Sequence, residues 1–275
     1  MKTSTQLKAL VRNLSREKNV EAEIILRNFM LERFLERVSI SKYKDNFILK
    51  GGLLIAAMVG IDTRSTMDLD ATIKGHTLTE AEVTAIVHDV TSISIDDNVR
   101  FTFKNIEGIR EEADYPGYRV SVEALFDKTR QTLKLDITTG DFVTPKEVGY
   151  SFKLLFEDRT INILAYNIET VLAEKFETAI ARGVTNTRMR DFYDIYILTA
   201  TQHIDADIFR AAFKNTAEKR HTAQQMADMS DVISTIYKNP VMIDLWKRYQ
   251  QKYSYAAEIT WEMIIEAVKR LAGII

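Results

Sequence analysis

Apolar residues recur at every second position in three consecutive stretches between Val99 and Ile137, and at helical spacing through most of the remaining chain. That change of period limits the chain to folds in which one sheet is set among helices. Val99-Phe101-Phe103, Tyr118-Val120-Val122 and Leu133-Leu135-Ile137 each alternate, with turn chemistry at Asp114-Tyr115-Pro116-Gly117. An antiparallel meander is the expected arrangement. Upstream, Val20, Ile24, Ile25, Phe29, Met30, Phe34 and Leu35 mark a core-facing stripe in helices over 3–39. Downstream, a short extended piece over 161–164 precedes helices predicted at 168–182, 188–199, 206–219, 222–237, 240–252 and 258–271. So few breakers, 10 Gly and 3 Pro in 275 residues, suit long helices. The fold class expected is α+β: an N-terminal domain over 1–155 with an antiparallel or mixed sheet, then an all-helical domain over 156–275.

Several functional classes fall away on composition. Without cysteine there is no disulfide, thiolate zinc site or cysteine nucleophile. His76, His88, His203 and His221 lack metal-ligand spacing and receive no role. A formal charge of −2 gives the whole molecule no pull towards nucleic acid, so any such contact needs a local basic patch. No apolar run approaches the ~18 residues of a membrane span, and the N-terminal stretch lacks an apolar core followed by a small-residue cleavage site. A cytoplasmic protein with no membrane partner is expected.

The segment Arg64-Ser65-Thr66-Met67-Asp68-Leu69-Asp70 carries the most informative chemistry. Strand residues two apart share a face, so Asp68 and Asp70 can hold one ligand while Leu69 and Ala71 face the core. Mg²⁺ (or Mn²⁺) suits such a pair, because it takes carboxylate oxygen and completes its shell with waters and substrate phosphates. Asp136, in Leu133-Lys134-Leu135-Asp136-Ile137, lies on the face opposite its apolar neighbours and offers a third acid or a general base. The same acids are also compatible with a solvent-facing strand. Lys50-Gly51-Gly52, ahead of an apolar run ended by Gly60, can place backbone N–H groups and a helix N-terminus against phosphate, or form no more than a tight turn. Lys50, Gly51, Gly52, Arg64, Ser65 and Thr66 are therefore candidates for binding nucleotide.

The helical half adds Lys175, suited to neutralising a triphosphate, and Asp191, suited to orienting that lysine or a substrate. Glu174-Lys175 is equally compatible with the solvated side of an amphipathic helix. Arg182, Arg188 and Arg190 form the best local basic cluster, placed either to meet an RNA backbone or to pair with Glu177, Asp191 and Asp194. No G-x-x-x-x-G-K-[ST] loop and no kinase-type glycine loop is present.

Taken in order, Lys50-Gly51-Gly52, R-S-T-M-D-L-D, Leu135-Asp136-Ile137, Leu172-Ala173-Glu174-Lys175 and Arg190-Asp191-Phe192-Tyr193-Asp194 resemble the motifs of AbiEii-type nucleotidyltransferase toxins, over roughly residues 47–200. The resemblance implies a DNA polymerase β-like nucleotidyltransferase core, and a toxin of type IV toxin–antitoxin or phage abortive-infection systems encoded beside a cognate antitoxin. MenT-like members imply an Mg²⁺-dependent transfer of a nucleoside monophosphate from an NTP to RNA, at the acceptor end of tRNA. By position, Asp68 and Asp70 match the metal-binding acids, Asp136 the second-motif acid, Lys175 the third-motif lysine and Asp191 the fourth-motif aspartate. Gly52 stands where many members have serine, which leaves phosphate contacts there to the backbone. The rival expectations are a catalytically silent nucleotide-binding module and a phosphotransferase acting on protein or RNA.

Overall fold

The structure, a computed structural model, describes residues 3–75, 79–109 and 117–275. Most of the expected turn at 114–117, and His76, lie outside them. The chain divides into two compact units, one of Met1–Asp141 and Val148–Ala165, the other of Phe142–Glu147 and Tyr166–Ile275.

In the first unit the described strands form one seven-stranded mixed sheet in the order β3-β4-β5-β2-β1-β7-β6. These are β1 (Phe47–Lys50), β2 (Leu69–Ile73), β3 (Val99–Ile109), β4 (Gly117–Phe126), β5 (Thr129–Thr139), β6 (Val148–Lys153) and β7 (Thr160–Ala165). The β3-β4-β5 meander is antiparallel as expected. The sheet then continues by a parallel β5–β2 pairing, an antiparallel β2–β1 pairing and a parallel β1–β7 pairing. Leu69, Ala71, Leu135, Ile137 and Val120 are all fully buried on one face, the face that alternation assigns to the core.

Helices α1 (Ser4–Lys18), α2 (Ala22–Ile40), α3 (Gly51–Val59) and α4 (Glu80–Thr91) complete this unit, with α2 packed on β5 and β7 and α4 on β3. A Thr79/Glu82 capping box starts α4, and a positive-φ Gly60 ends α3 where the sequence ends its apolar run. The α2 helix is more than an amphipathic stripe, because residues 28–38 are buried throughout. Its charged side chains are paired inside the fold. Arg33 meets Glu32, Glu36 and Glu157, and Arg37 grips Asp97 with two hydrogen bonds of 2.7 and 3.0 Å.

The second unit is helical: α5 (Ile168–Arg182), α6 (Met189–Thr201), α7 (Ala206–Lys219), α8 (Met229–Lys238), α9 (Pro240–Lys252) and α10 (Trp261–Ala272). Side-chain caps from Asn167, Asp205, Asn239 and Thr260 start four of them. Their core includes Phe176 with Phe209 and Phe213, and Trp261 with Trp246 and Phe192. Among the described residues no helix is long and apolar enough to cross a membrane.

Candidate active site

The glycine turn meets the acidic strand at one point. Gly51 has φ +66°, and a Cβ built there would lie 2.1 Å from the Asp70 Oδ2. Only glycine lets the carboxylate lie so close to the backbone. The Gly52 N–H donates to the same Asp70 oxygen at 3.3 Å, so the N-terminus of α3, which has no cap from its own N-cap side chain, faces an acid. A Cβ on Gly52 would fall 2.7 Å from the Thr66 hydroxyl and 3.1 Å from an Arg64 nitrogen. A serine here would therefore need Thr66 to give way, which is the local reason for glycine. Arg64, Ser65 and Thr66 are buried around this turn, with Arg64 donating to the Ser65 carbonyl. Lys50 is buried and forms an ion pair with Asp141, which also accepts the Thr138 hydroxyl at 2.8 Å.

Strand register brings five charged residues into line. Lys50 on β1 is the direct partner of Asp70 on β2, Asp70 of Asp136 on β5, Asp136 of Arg119 on β4, and Arg119 of Glu107 on β3. Directly paired residues project to the same face, about 4.8 Å from strand to strand. Asp70 and Asp136 are thus immediate neighbours. Asp68 stands one residue before β2 begins, half-buried, so the acid pair straddles the strand start instead of lying within it. Arg119 was not among the sequence candidates. Its Nε and Nη2 donate to the two oxygens of Asp136, each at 2.7 Å. That fork raises the Arg119 pKa, with Asp68 and Glu107 adding to the effect.

Among the described residues no group of three His, Asp or Glu side chains is gathered as a metal-holding set. The donors are nonetheless hard oxygens of the kind Mg²⁺ accepts, and one or two carboxylates beside substrate phosphates meet its needs. Asp68 and Asp70 fit that description, and Asp136 is turned into the arginine fork.

In the second unit, α5 and α6 bring Lys175, Asp191 and Asp194 together. The Lys175 ammonium lies 2.7 Å from Asp191 and 2.8 Å from Asp194. The two acids are three apart on α6 and so share a face. Asp194, which the sequence offers only as a partner for the arginines, is the fully buried one. The three arginines are dispersed in role. Arg190 donates to the Tyr253 hydroxyl at 2.9 Å and lies over its ring. Arg188 is exposed at the N-cap of α6, and Arg182 is exposed beside a cleft of about 490 Å³ with Asp228 and Asp231. Glu177, an expected partner, is taken instead by Arg220 and by the Thr222 hydroxyl.

Comparison with known proteins gives a consistent result. Residues 33–267 match the family described as nucleotidyl transferase AbiEii toxin, type IV toxin–antitoxin system. The match takes in helices on both sides of the motif-bearing span. Among solved structures, MenT4, a nucleotidyltransferase toxin from Mycobacterium tuberculosis, superposes with a TM-score of 0.55 at 14% identity, over 96% of this chain and 98% of that one. A crystal structure assigned as a nucleotidyltransferase from H. pylori gives 0.50 at 17% identity, over 93% and 99%. At these identities the likeness is one of fold. A search of the curated proteins gave no match.

Proposed function

The chain belongs to the AbiEii family of nucleotidyl transferase toxins of type IV toxin–antitoxin systems, and on that footing we propose that it transfers a nucleoside monophosphate from an NTP to a hydroxyl of RNA. The bond between the α- and β-phosphates breaks, a bond from the acceptor oxygen to the α-phosphorus forms, and pyrophosphate leaves. The hydroxyl proton passes to water or a carboxylate. The acceptor end of tRNA is the acceptor we assign, as the resemblance to MenT-like enzymes implies. A cognate antitoxin is the expected protein partner.

The observation that carries this reading is the line of charge across β4, β5, β2 and β1, with Arg119, Asp136, Asp70 and Lys50 in register and the N-terminus of α3 against Asp70. Asp68 and Asp70 would hold Mg²⁺, with Asp136 as third acid. The cation would supply charge neutralisation on the transferring phosphate. Gly51 and Gly52 are assigned to phosphate oxygens through their backbone N–H groups, that of Gly52 resting here on Asp70, and the buried cluster of Lys50, Arg64, Ser65 and Thr66 shapes the turn that presents them. Lys175 is assigned to triphosphate charge and Asp191 to orienting it, on motif order and on their 2.7 Å pairing. Exposed Arg182 and Arg188, with Arg190, are assigned to the RNA backbone.

The test incubates the purified chain with Mg²⁺, total cellular RNA and each NTP in turn, radiolabelled at the α-phosphate, beside Asp68→Ala. Label should enter small RNA with the wild type alone, with pyrophosphate released. Release of an NDP would replace this reading with phosphoryl transfer, and nucleotide binding without any label transfer would leave a binding module.

A further inference from the structure

We propose that Arg119 is a positioning residue of the acidic site. Its fork fixes Asp136 in one orientation and keeps that carboxylate from the cation until nucleotide phosphates arrive to share it. The proposal rests on reading Asp68, Asp70 and Asp136 as the cation-binding acids.

Geometry carries it. Both Asp136 oxygens accept from Arg119, through Nε and Nη2 at 2.7 Å each. This is the planar two-point match that only an arginine provides. The residues are direct partners in the β4–β5 register, so two rigid strands hold the pair and no long loop needs to be ordered. Arg119 is a third exposed and Asp136 about a sixth. The fork is therefore reachable by a ligand without being dissolved by solvent.

Two consequences follow from the chemistry of the pair. A carboxylate has about four lone-pair positions and the fork occupies two, so Asp136 keeps acceptor capacity but only in the directions the fork leaves open. That is orientation. Arg119 is also permanently charged, and it faces Asp136 on one side while feeling Asp68 and Glu107. It therefore offsets one carboxylate of three set at neighbouring positions, which would otherwise repel one another and draw cations strongly. The fork thus assigns first contact with a cation to Asp68 and Asp70, the second of which also accepts the Gly52 N–H. A cation on two carboxylates would complete its shell with waters, and with phosphate oxygen once nucleotide is bound, so NTP should strengthen its binding.

The proposal sets a sign that a merely structural arginine would not produce. With Mn²⁺ as probe and no nucleotide present, free Mn²⁺ is followed by electron paramagnetic resonance during titration of the full chain. Arg119→Gln should bind Mn²⁺ about fivefold or more tighter than wild type, because a positive charge beside the site is gone. Arg119→Lys keeps the charge and loses the fork. It should bind Mn²⁺ as wild type does, yet lower kcat by about tenfold with little change in KM for the NTP, since Asp136 is no longer aligned. Equal or weaker Mn²⁺ binding by a folded Arg119→Gln overturns the electrostatic half, and a wild-type kcat in Arg119→Lys overturns the positioning half. Should Arg119→Gln fail to fold, Arg119→Met takes its place in the Mn²⁺ titration with the same expected and overturning outcomes. Asp68→Ala, titrated in parallel, separates the two levels: unaltered Mn²⁺ binding there removes the cation-site reading itself, whatever Arg119 does.

Discussion

Lys175 stands between two carboxylates of unequal exposure, and the inequality separates what each can do. Asp194 is fully buried while Asp191 is about a sixth exposed. Removing Asp194 leaves a buried ammonium short of charge, so Asp194→Ala should lower stability by about 3 kcal/mol or more. Asp191→Ala should cost less than that, because it is the more exposed partner and Asp194 remains to hold the lysine, yet it should abolish nucleotidyl transfer. Urea unfolding beside the label-transfer assay checks both, and the assignment is wrong if the order of the two stability losses is reversed. The sequence separates these acids by motif position alone, since positions three apart on a helix face the same way. Arg119 was hidden for a different reason. In Tyr118-Arg119-Val120-Ser121-Val122 it is simply the polar half of an alternating strand, and only the register with β5 shows that it faces Asp136.

At the scale of elements, local chemistry was the most legible. The Thr79/Glu82 box sits where its spacing places it, with Thr79 accepting from the Glu82 N–H at 3.2 Å and Glu82 accepting from the Thr79 N–H at 2.8 Å. Thr79→Ala should lower stability by about 1 kcal/mol through the loss of that cap. An unchanged urea midpoint would mean that the packing of Val83, Val87 and Val90 alone sets the start of α4. Elements whose pattern is weak were missed or misdrawn. Strand β6, Val-Gly-Tyr-Ser-Phe-Lys, has a glycine in its interior and, among the described residues, pairs only with β7 at the edge of the sheet, so its one buried residue, Phe152, gives no alternation to read. The helix expected over 222–237 breaks into a 3-10 turn, Ala223–Asp228, and α8. The turn buries Met226 alone, too little to hold an α-helical stripe. Parallel pairings such as β2–β5 leave no local trace, because their partners are far apart in the chain.

For the molecule as a whole, the buried charges of α2 make stability depend on pH. Burial pushes the Glu32 carboxyl up to about 8, against the pull of Arg33 and the Leu155 N–H. Between the unfolded value near 4.5 and the folded value near 8, the native state holds a proton that the unfolded chain has released. The stability that Glu32 contributes is therefore fully present below about pH 4.5 and lost as pH rises through 8. Chemical unfolding midpoints measured from pH 5 to 8 should fall with pH in the wild type and fall less steeply in Glu32→Gln. Parallel slopes in the two proteins would sink the attribution. A hydrophobic stripe foretold the position of this helix, but not that Glu32, Arg33, Glu36 and Arg37 would lie inside with it. That depended on partners at Asp97, Glu157 and Arg159, which are distant in sequence.

The close approach of Asp70 to Gly51 has a consequence for descent as well as for chemistry. A side chain at position 51 and an acid at position 70 claim the same space, so the two residues, nineteen apart, are coupled in inheritance. A lineage that replaced the glycine would have to surrender or redirect the aspartate in the same step, whereas one that lost the aspartate would still be held to glycine by the φ of +66°. Among descendants of this chain the aspartate should not outlast the glycine, though the glycine can outlast the aspartate.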